Sequence, residues 1–365
     1  MIRLPLNLIE VLATQKINLM PTYSSSQLNH VIQVIFSAAG AKNQDAIQIA
    51  DILVANHLAG HDSHGILRIP EYLQSIRDGE IDPQAQPEII QETPTSAVVK
   101  GNWSFGQVVG NYATDIAIEK AQAMGVCAVS VVQAAHTGRL AVFTERAAAK
   151  DVVMFMTIGT VDRPMTAPYG GAAPIFGTNP IAITLPNQDG PHVTLDFATS
   201  AIAAGKIKVA KAKHESLPPD CLLDKQGNPS ANPNDFFDGG FMLPFGGHKG
   251  YALAVIAELM SGPLVGSENF PGVMQRSGIF IFAMKASLFQ PMEKYNQALQ
   301  KTRNKIKAIP PAKGFQEVLL PGEPEFHMFQ KRIKEGIEVP SDTWAAVKKA
   351  ALTFGVDIDQ LPIHE

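Results

Sequence analysis

Residues 126–158 read VCAVSVVQAAHTGRLAVFTERAAAKDVVMFMTI. Val126 to Val132 is a nearly continuous apolar run, the pattern of a strand buried on both faces. Arg139 to Lys150 has helical texture, and Val152 to Ile158 is strand-like again. Strand, helix and strand in succession predict an α/β layer. On the C-terminal side, Pro180 to Leu185, Val193 to Leu195 and Gly278 to Ala283 read as further short strands, and Ser200 to Lys213 and Lys249 to Ser261 as helices. Val108 to Met124, stopped by Gly125, is an amphipathic helix on the N-terminal side.

The ends of the chain are helical. Ser25 to Ala39 carries Leu28, Val31, Ile32 and Ile35 at helical spacing, with serines before it and Gly40 after it. Asn43 to Leu58 follows, then a polar cluster and a short helix to Asp78. Tyr295 to Lys313 reads as polar segments leading to two last helices, Glu325 to Glu335 and Ser341 to Phe354. The expected division is a flexible extension over 1–24, a helical region from 25–90 and 305–365, and an α/β region over 91–304.

Composition narrows the function classes. The 365 residues are 45% hydrophobic and 18% charged, which suits a globular chain and excludes disorder. A formal charge of −4 leaves no basic footprint for nucleic acid. The two cysteines, Cys127 and Cys221, form no CxxC, so a disulfide scaffold and a Cys-rich metal site are excluded and a reducing cytoplasm is the expected compartment. No apolar run reaches the roughly 18 residues of a membrane span. Met1 to Met20 is interrupted by Asn7, Glu10, Gln15, Lys16 and Asn18, and does not read as a signal peptide.

The usual nucleotide signatures fail: no GxGxxG follows a strand, and Ser200 to Ile207 departs from a Walker loop at both ends. Four polar, Gly-rich turns remain. Asp62-Ser63-His64-Gly65 with Arg68 offers a proton-exchanging imidazole, a neighbouring hydroxyl and a guanidinium suited to a carboxylate. His57, His61 and His64 fit equally well as polar groups closing one helix. His57 and His61 also stand at metal-ligand spacing, but no carboxylate ligand accompanies them, so no metal is expected. His136-Thr137-Gly138-Arg139-Leu140 would open a helix on an anion such as a pyrophosphate, or serve as a plain strand-to-helix turn. The remaining turns span Ala167 to Ser200 and Leu243 to Tyr251, where small residues permit close backbone approach to a ligand.

Together these motifs resemble one family. AGHDSHGILRIPEY, HTGRL, APYGG, FGTNP, LDFATSAIAAGK, LPFGGHKGYALA and LPGE occur in order between about Ser26 and Gly336, and look like the malate/L-lactate dehydrogenase family. Within it, the DSHG context and Cys221 to Asp224 resemble most the hydroxycarboxylate dehydrogenase B branch. The resemblance implies a non-Rossmann α/β fold of the malate/L-lactate (sulfolactate) dehydrogenase kind, with a helical region from both chain ends, working as a homodimer. It implies hydride transfer between NAD or NADP and a 2-hydroxy or 2-oxo acid. Relatives with the same constellation reduce cyclic imino acids or oxidise ureidoglycolate, which is the alternative within the fold; a non-catalytic ligand-binding protein is the alternative outside it.

Carried onto this chain, the resemblance places His64 and Ser63 beside the reacting carbonyl and the nicotinamide, with His136 as proton acceptor. Arg68 would hold the substrate carboxylate, and Thr178 would lie on the substrate side. Gly138, Arg139, Leu140, Thr194, Leu195, Asp196, Phe197, Ala198, Phe245, Lys249, Pro321, Gly322 and Glu323 match cofactor-contacting stretches, as His64 does. One departure stands out: many members carry Asn where this chain has Ile158.

Overall fold

The computed structural model describes residues 21–159, 164–269 and 278–361. The N-terminal extension up to residue 20 lies outside them. Thr22–Tyr23, expected within that extension, instead pairs antiparallel with Ile337–Glu338 and ties the two chain ends together.

The first helix, α1 (Ser25–Ala38), starts on a capping box: the Ser24 hydroxyl accepts from the Gln27 amide, and the Gln27 side chain accepts from the Ser24 amide. α2 (Asn43–Leu58) follows, and two 3₁₀ turns, Asp62–His64 and Ile66–Arg68, lead into α3 (Ile69–Arg77). Leu28, Ile32, Ile35, Phe36, Ile49, Leu53 and Leu73 bury one face of each of these helices. Trp344 and Val347, from near the other end of the chain, complete the same core.

Among the described residues the second core lies on a seven-stranded sheet. Its strands are β1 (Glu88–Thr93), β2 (Ser96–Lys100), β3 (Val126–Val132), β4 (Val152–Ile158), β5 (Ile181–Leu185), β6 (Val193–Phe197) and β7 (Ile279–Lys285), in the spatial order β1-β2-β3-β7-β4-β5-β6. β7 comes last in sequence yet sits between β3 and β4, antiparallel to both. The β2–β3 pair is parallel, with α4 (Gly106–Met124) as its crossover. The expectation of a strand buried on both faces is corrected at β3. Cys127, Val129 and Val131 are buried, whereas Val126, Ala128 and Ser130 are half-buried, because one face of the strand is covered less completely.

α5 (Ala141–Ala148) is shorter at both ends than the expected Arg139–Lys150, and it packs on β4 and β5. α6 (Ala204–Lys213) rests on a three-stranded antiparallel patch through Ile207, Leu217, Leu222 and Met242. Then come α7 (His248–Ser261), α8 (Met292–Lys307), α9 (Glu323–Glu335) and α10 (Ser341–Leu352). α8 covers most of the stretch from Tyr295 to Lys313 that the sequence analysis reads only as polar segments. None of its side chains is buried, but Met292, Tyr295, Leu299 and Ile306 keep helical spacing within an otherwise polar sequence, a signal that the polar reading passed over.

Candidate active site

The turn after α2 is fastened from three sides. The Asn56 amide donates to the His64 carbonyl at 3.1 Å, and the Arg68 Nε donates to the Ser63 carbonyl at 2.8 Å. From α9, the Arg332 guanidinium binds the His57 carbonyl and the Asp62 carboxylate, while Glu325 lies 3.5 Å from His61. Gly205, at the start of α6, abuts the turn so closely that a Cβ there would stand 2.7 Å from the Ser63 Cβ. Beneath the turn His57 is fully buried, and burial lowers its pKa from 6.5 to about 4.

This fastening leaves Ser63 Oγ 3.1 Å from His64 Nδ1. Burial, followed by the positive charge of Arg68, lowers the His64 pKa from 6.5 to about 3, so the ring is neutral throughout the physiological range.

His136 arrives from the loop after β3. Its ring stacks against that of His64, with centroids 6.0 Å apart and planes at 18°. The Tyr72 hydroxyl, from α3, lies 2.7 Å from His136 Nδ1, and the Gln107 amide donates to that hydroxyl at 3.0 Å. Gln107 reaches this position because α4 begins at a glycine. A Cβ on Gly106 would come within 2.4 Å of the carbonyl oxygens of Ala135 and His136.

Both imidazoles face a cavity of about 510 Å³. Ser63, Gly138, Arg139, Leu140, Thr178, Asp196, Phe197 and Ala198, all expected at the site, share its wall. Thr194, Leu195, Pro321 and Gly322 line a neighbouring cleft that shares Arg139, Asp196 and Phe197 with the first.

Four expected residues stand apart from the cavity wall. Arg68 points Nη1 at Glu71, 2.6 Å away, and it is Glu71 that lines the cavity. Phe245 packs edge-on against Phe197, with centroids 5.2 Å apart, and Lys249 is one turn further along the chain, near the start of α7. Glu323 is buried and bound to Arg303 at 3.1 Å and Lys307 at 2.8 Å, which fastens the start of α9 to α8.

The anion-binding expectation for the start of α5 is also corrected. The helix opens at Ala141, and the Ala141 amide donates to the Asp196 carboxylate at 2.8 Å. Arg139 is held by Glu145 at 2.9 Å. The chain's own carboxylates therefore take the place expected for a pyrophosphate at this helix end. Burial raises the Asp196 pKa, opposed by the nearby Arg139 and the Ala141 amide.

Sequence reasoning missed Tyr72, Gln107 and Lys206. Tyr72 and Lys206 line the cavity, and Gln107 reaches it through Tyr72. Tyr72 closes the AGHDSHGILRIPEY string and Lys206 closes LDFATSAIAAGK, so both were in view. Gln107 carried no local signal.

The sequence profile described as malate/L-lactate dehydrogenase matches residues 23–348. Hydroxycarboxylate dehydrogenase B of Escherichia coli (strain K12) is 34% identical over 347 residues, covering 93% of this chain and 96% of that protein. Malate/(S)-sulfolactate dehydrogenase of Methanothermus fervidus is 34% identical, covering 92% and 98%. Among solved structures, sulfolactate dehydrogenase from Methanocaldococcus jannaschii superposes with a TM-score of 0.84 at 33% identity, covering 93% of this chain and 99% of that one. Malate dehydrogenase from Entamoeba histolytica gives a TM-score of 0.87 at 26% identity, covering 94% and 99%.

Proposed function

This chain belongs to the malate/L-lactate dehydrogenase family, and from that premise we propose that it transfers a hydride between NAD or NADP and a 2-hydroxy or 2-oxo carboxylic acid. The oxidoreductase class follows from the family; the cofactor, the acid and the residue roles are our reading. The observation that carries it is the pair His64 and His136, stacked on one cavity with Ser63 and Tyr72 against their ring nitrogens. Cyclic imino acid reduction and ureidoglycolate oxidation are the less favoured alternatives.

A nicotinamide dinucleotide fits the residues present. Arg139 lines the main cavity and two adjoining clefts, a run longer than a small acid requires. Its Nε is buried without a hydrogen-bond partner, 3.9 Å from the Asp196 carboxylate, and the rest of the guanidinium is engaged with Glu145. When bound, the dinucleotide supplies or accepts the hydride. His64, held neutral by its surroundings, would present a flat, uncharged face to the ligand. His136 would exchange the proton of the substrate oxygen. Arg68, paired with Glu71, would hold the carboxylate that every 2-oxo acid carries, and Lys206, directly on the wall, would supply the positive potential for a second carboxylate.

The reading extends to the assembly. Leu253, Ile256 and Leu259 are exposed on one face of α7, which supports a homodimer through that face. The joint core of α1–α3 and α10 supports a helical region from both chain ends beside an α/β region, but the expected boundaries at 90 and 305 cut through β1 (Glu88–Thr93) and α8 (Met292–Lys307) and do not hold as drawn. Among the described residues no helix is long and apolar enough to cross a membrane; a cytoplasmic location is part of the proposal.

The direct test follows NADH and NADPH absorbance with pyruvate, oxaloacetate and phenylpyruvate. The wild type is expected to oxidise at least one cofactor with at least one acid, and His136→Ala to lose on the order of a hundredfold in kcat. No turnover with any 2-oxo acid would overturn the reading.

A further inference from the structure

We propose that Tyr72 and Gln107 are positioning residues that set the tautomer of His136, keeping the proton of its neutral ring on Nε2. The inference deepens the reading above, in which His136 faces the substrate oxygen.

The argument starts at Gln107, which is 1% exposed. Its Nε2 lies 3.4 Å from the carbonyl oxygens of both His136 and Thr137, and 3.0 Å from the Tyr72 hydroxyl. Backbone carbonyls can only accept, so this edge of the amide must be its NH₂. The opposite orientation would set three oxygens against one another in a buried site. The Tyr72 oxygen therefore accepts from Gln107, and its own hydrogen is directed to the remaining neighbour, His136 Nδ1 at 2.7 Å. A nitrogen that accepts this bond presents a lone pair, and the proton of the neutral imidazole must then sit on Nε2.

Burial reinforces the arrangement. Tyr72 is 2% exposed, and its phenol is pushed well above its ordinary range, so it remains a neutral donor. Gly106 contributes by letting α4 start against the 135–136 backbone, the approach that brings Gln107 within reach.

The consequence concerns which form of the substrate the resting site prefers. An Nε2–H donor suits the carbonyl oxygen of a 2-oxo acid, which can only accept. A 2-hydroxy acid whose proton is to be removed would need a lone pair at the same nitrogen. Tyr72 and Gln107 thus bias the neutral resting site toward the 2-oxo acid as a hydrogen-bond acceptor; transfer of the proton itself falls to the doubly protonated ring, with the Tyr72 oxygen then accepting from Nδ1–H.

The test is long-range ¹H–¹⁵N correlation on the full chain with ¹⁵N-labelled histidine, near pH 8, the His136 signals being assigned by their loss in His136→Asn. The expected spectrum has a protonated-type shift at Nε2 and an unprotonated-type shift at Nδ1. In Tyr72→Phe the Nδ1–H population is expected to rise, and kcat for 2-oxo acid reduction to fall about tenfold with the cofactor KM unchanged. Gln107→Leu, which leaves the Tyr72 hydroxyl in place but free to turn, is expected to shift the populations in the same direction. An Nδ1–H ring in the wild type overturns the proposal without reference to any variant, and so does a ratio that Tyr72→Phe leaves unchanged. The spectrum is read without turnover, so a chain that reduces no 2-oxo acid yet shows the Tyr72-dependent Nε2–H ring upholds the tautomer while sinking the dehydrogenase reading.

Discussion

His64 and His136 lie with their ring planes 18° from parallel and their centroids 6.0 Å apart, one on the turn after α2 and the other on the loop after β3. Burial and cationic neighbours, chiefly Arg68, bias His64 strongly toward neutrality. The two imidazoles are therefore assigned different work: a fixed neutral surface at His64 and proton exchange at His136. In a pH–rate series from 5 to 9, His64→Asn should lower kcat while leaving the apparent pKa in place, and His136→Asn should remove that limb. A limb that disappears with His64 instead would reverse the assignment.

His57 makes the fold sensitive to acid. Its pKa is lowered from 6.5 to about 4 in the folded chain, so below 6.5 the unfolded chain takes up a proton that the native one refuses. The native state is then penalised progressively as pH falls from 6.5 toward 4, by about 2 kcal/mol at pH 5. Urea unfolding at pH 7 and pH 5 should show this loss in the wild type and a smaller one in His57→Gln. Equal losses in both proteins would remove His57 from the account.

Gly106→Ala places a methyl group 2.4 Å from two carbonyl oxygens. Because the contacts are backbone, relief requires α4 or the 135–136 segment to shift. The expected outcome is a loss of roughly 1–3 kcal/mol in stability together with a larger proportional loss of kcat than at a surface glycine such as Gly79. Thermal unfolding and steady-state kinetics on the same preparations check both.

Ile158 is 7% exposed and lines the cavity, at the position where the family resemblance leads to an expectation of Asn. Restoring that amide with Ile158→Asn should raise kcat/KM for oxaloacetate relative to phenylpyruvate by about tenfold, since an apolar wall favours the aromatic side chain. A specificity ratio that does not move would show that this wall faces away from the substrate side chain.

Lys206 stands on the wall close to Ser63, brought there by the contact of Gly205 with the turn. Lys206→Met is expected to raise KM for a dicarboxylic 2-oxo acid by roughly tenfold and for pyruvate by much less, at low salt, because the lost interaction is ionic. Equal effects on both acids would place the cation against the shared carboxylate.

Local chemistry made much of the chain legible. α1 and α2 were readable from apolar spacing and from the serines and glycines at their ends, and Val126 to Val132 from its β-branched run. The site motifs were readable as polar, Gly-rich turns, and their order carried the family. β1 was not, because all six of its residues are exposed and leave no alternation of buried and exposed positions, and α8 was passed over although Met292, Tyr295 and Leu299 stand at helical spacing in it.

The sequence by itself determined which segments could be helices or strands, because capping, turn chemistry and apolar period act within a few residues. Only the tertiary structure decided that β7 enters between β3 and β4, that Asp196 takes the start of α5, and that Gln107 and Tyr72 meet His136. Those relationships join segments distant in sequence, and their hydrogen-bond directions depend on which buried neighbours can donate and which can only accept.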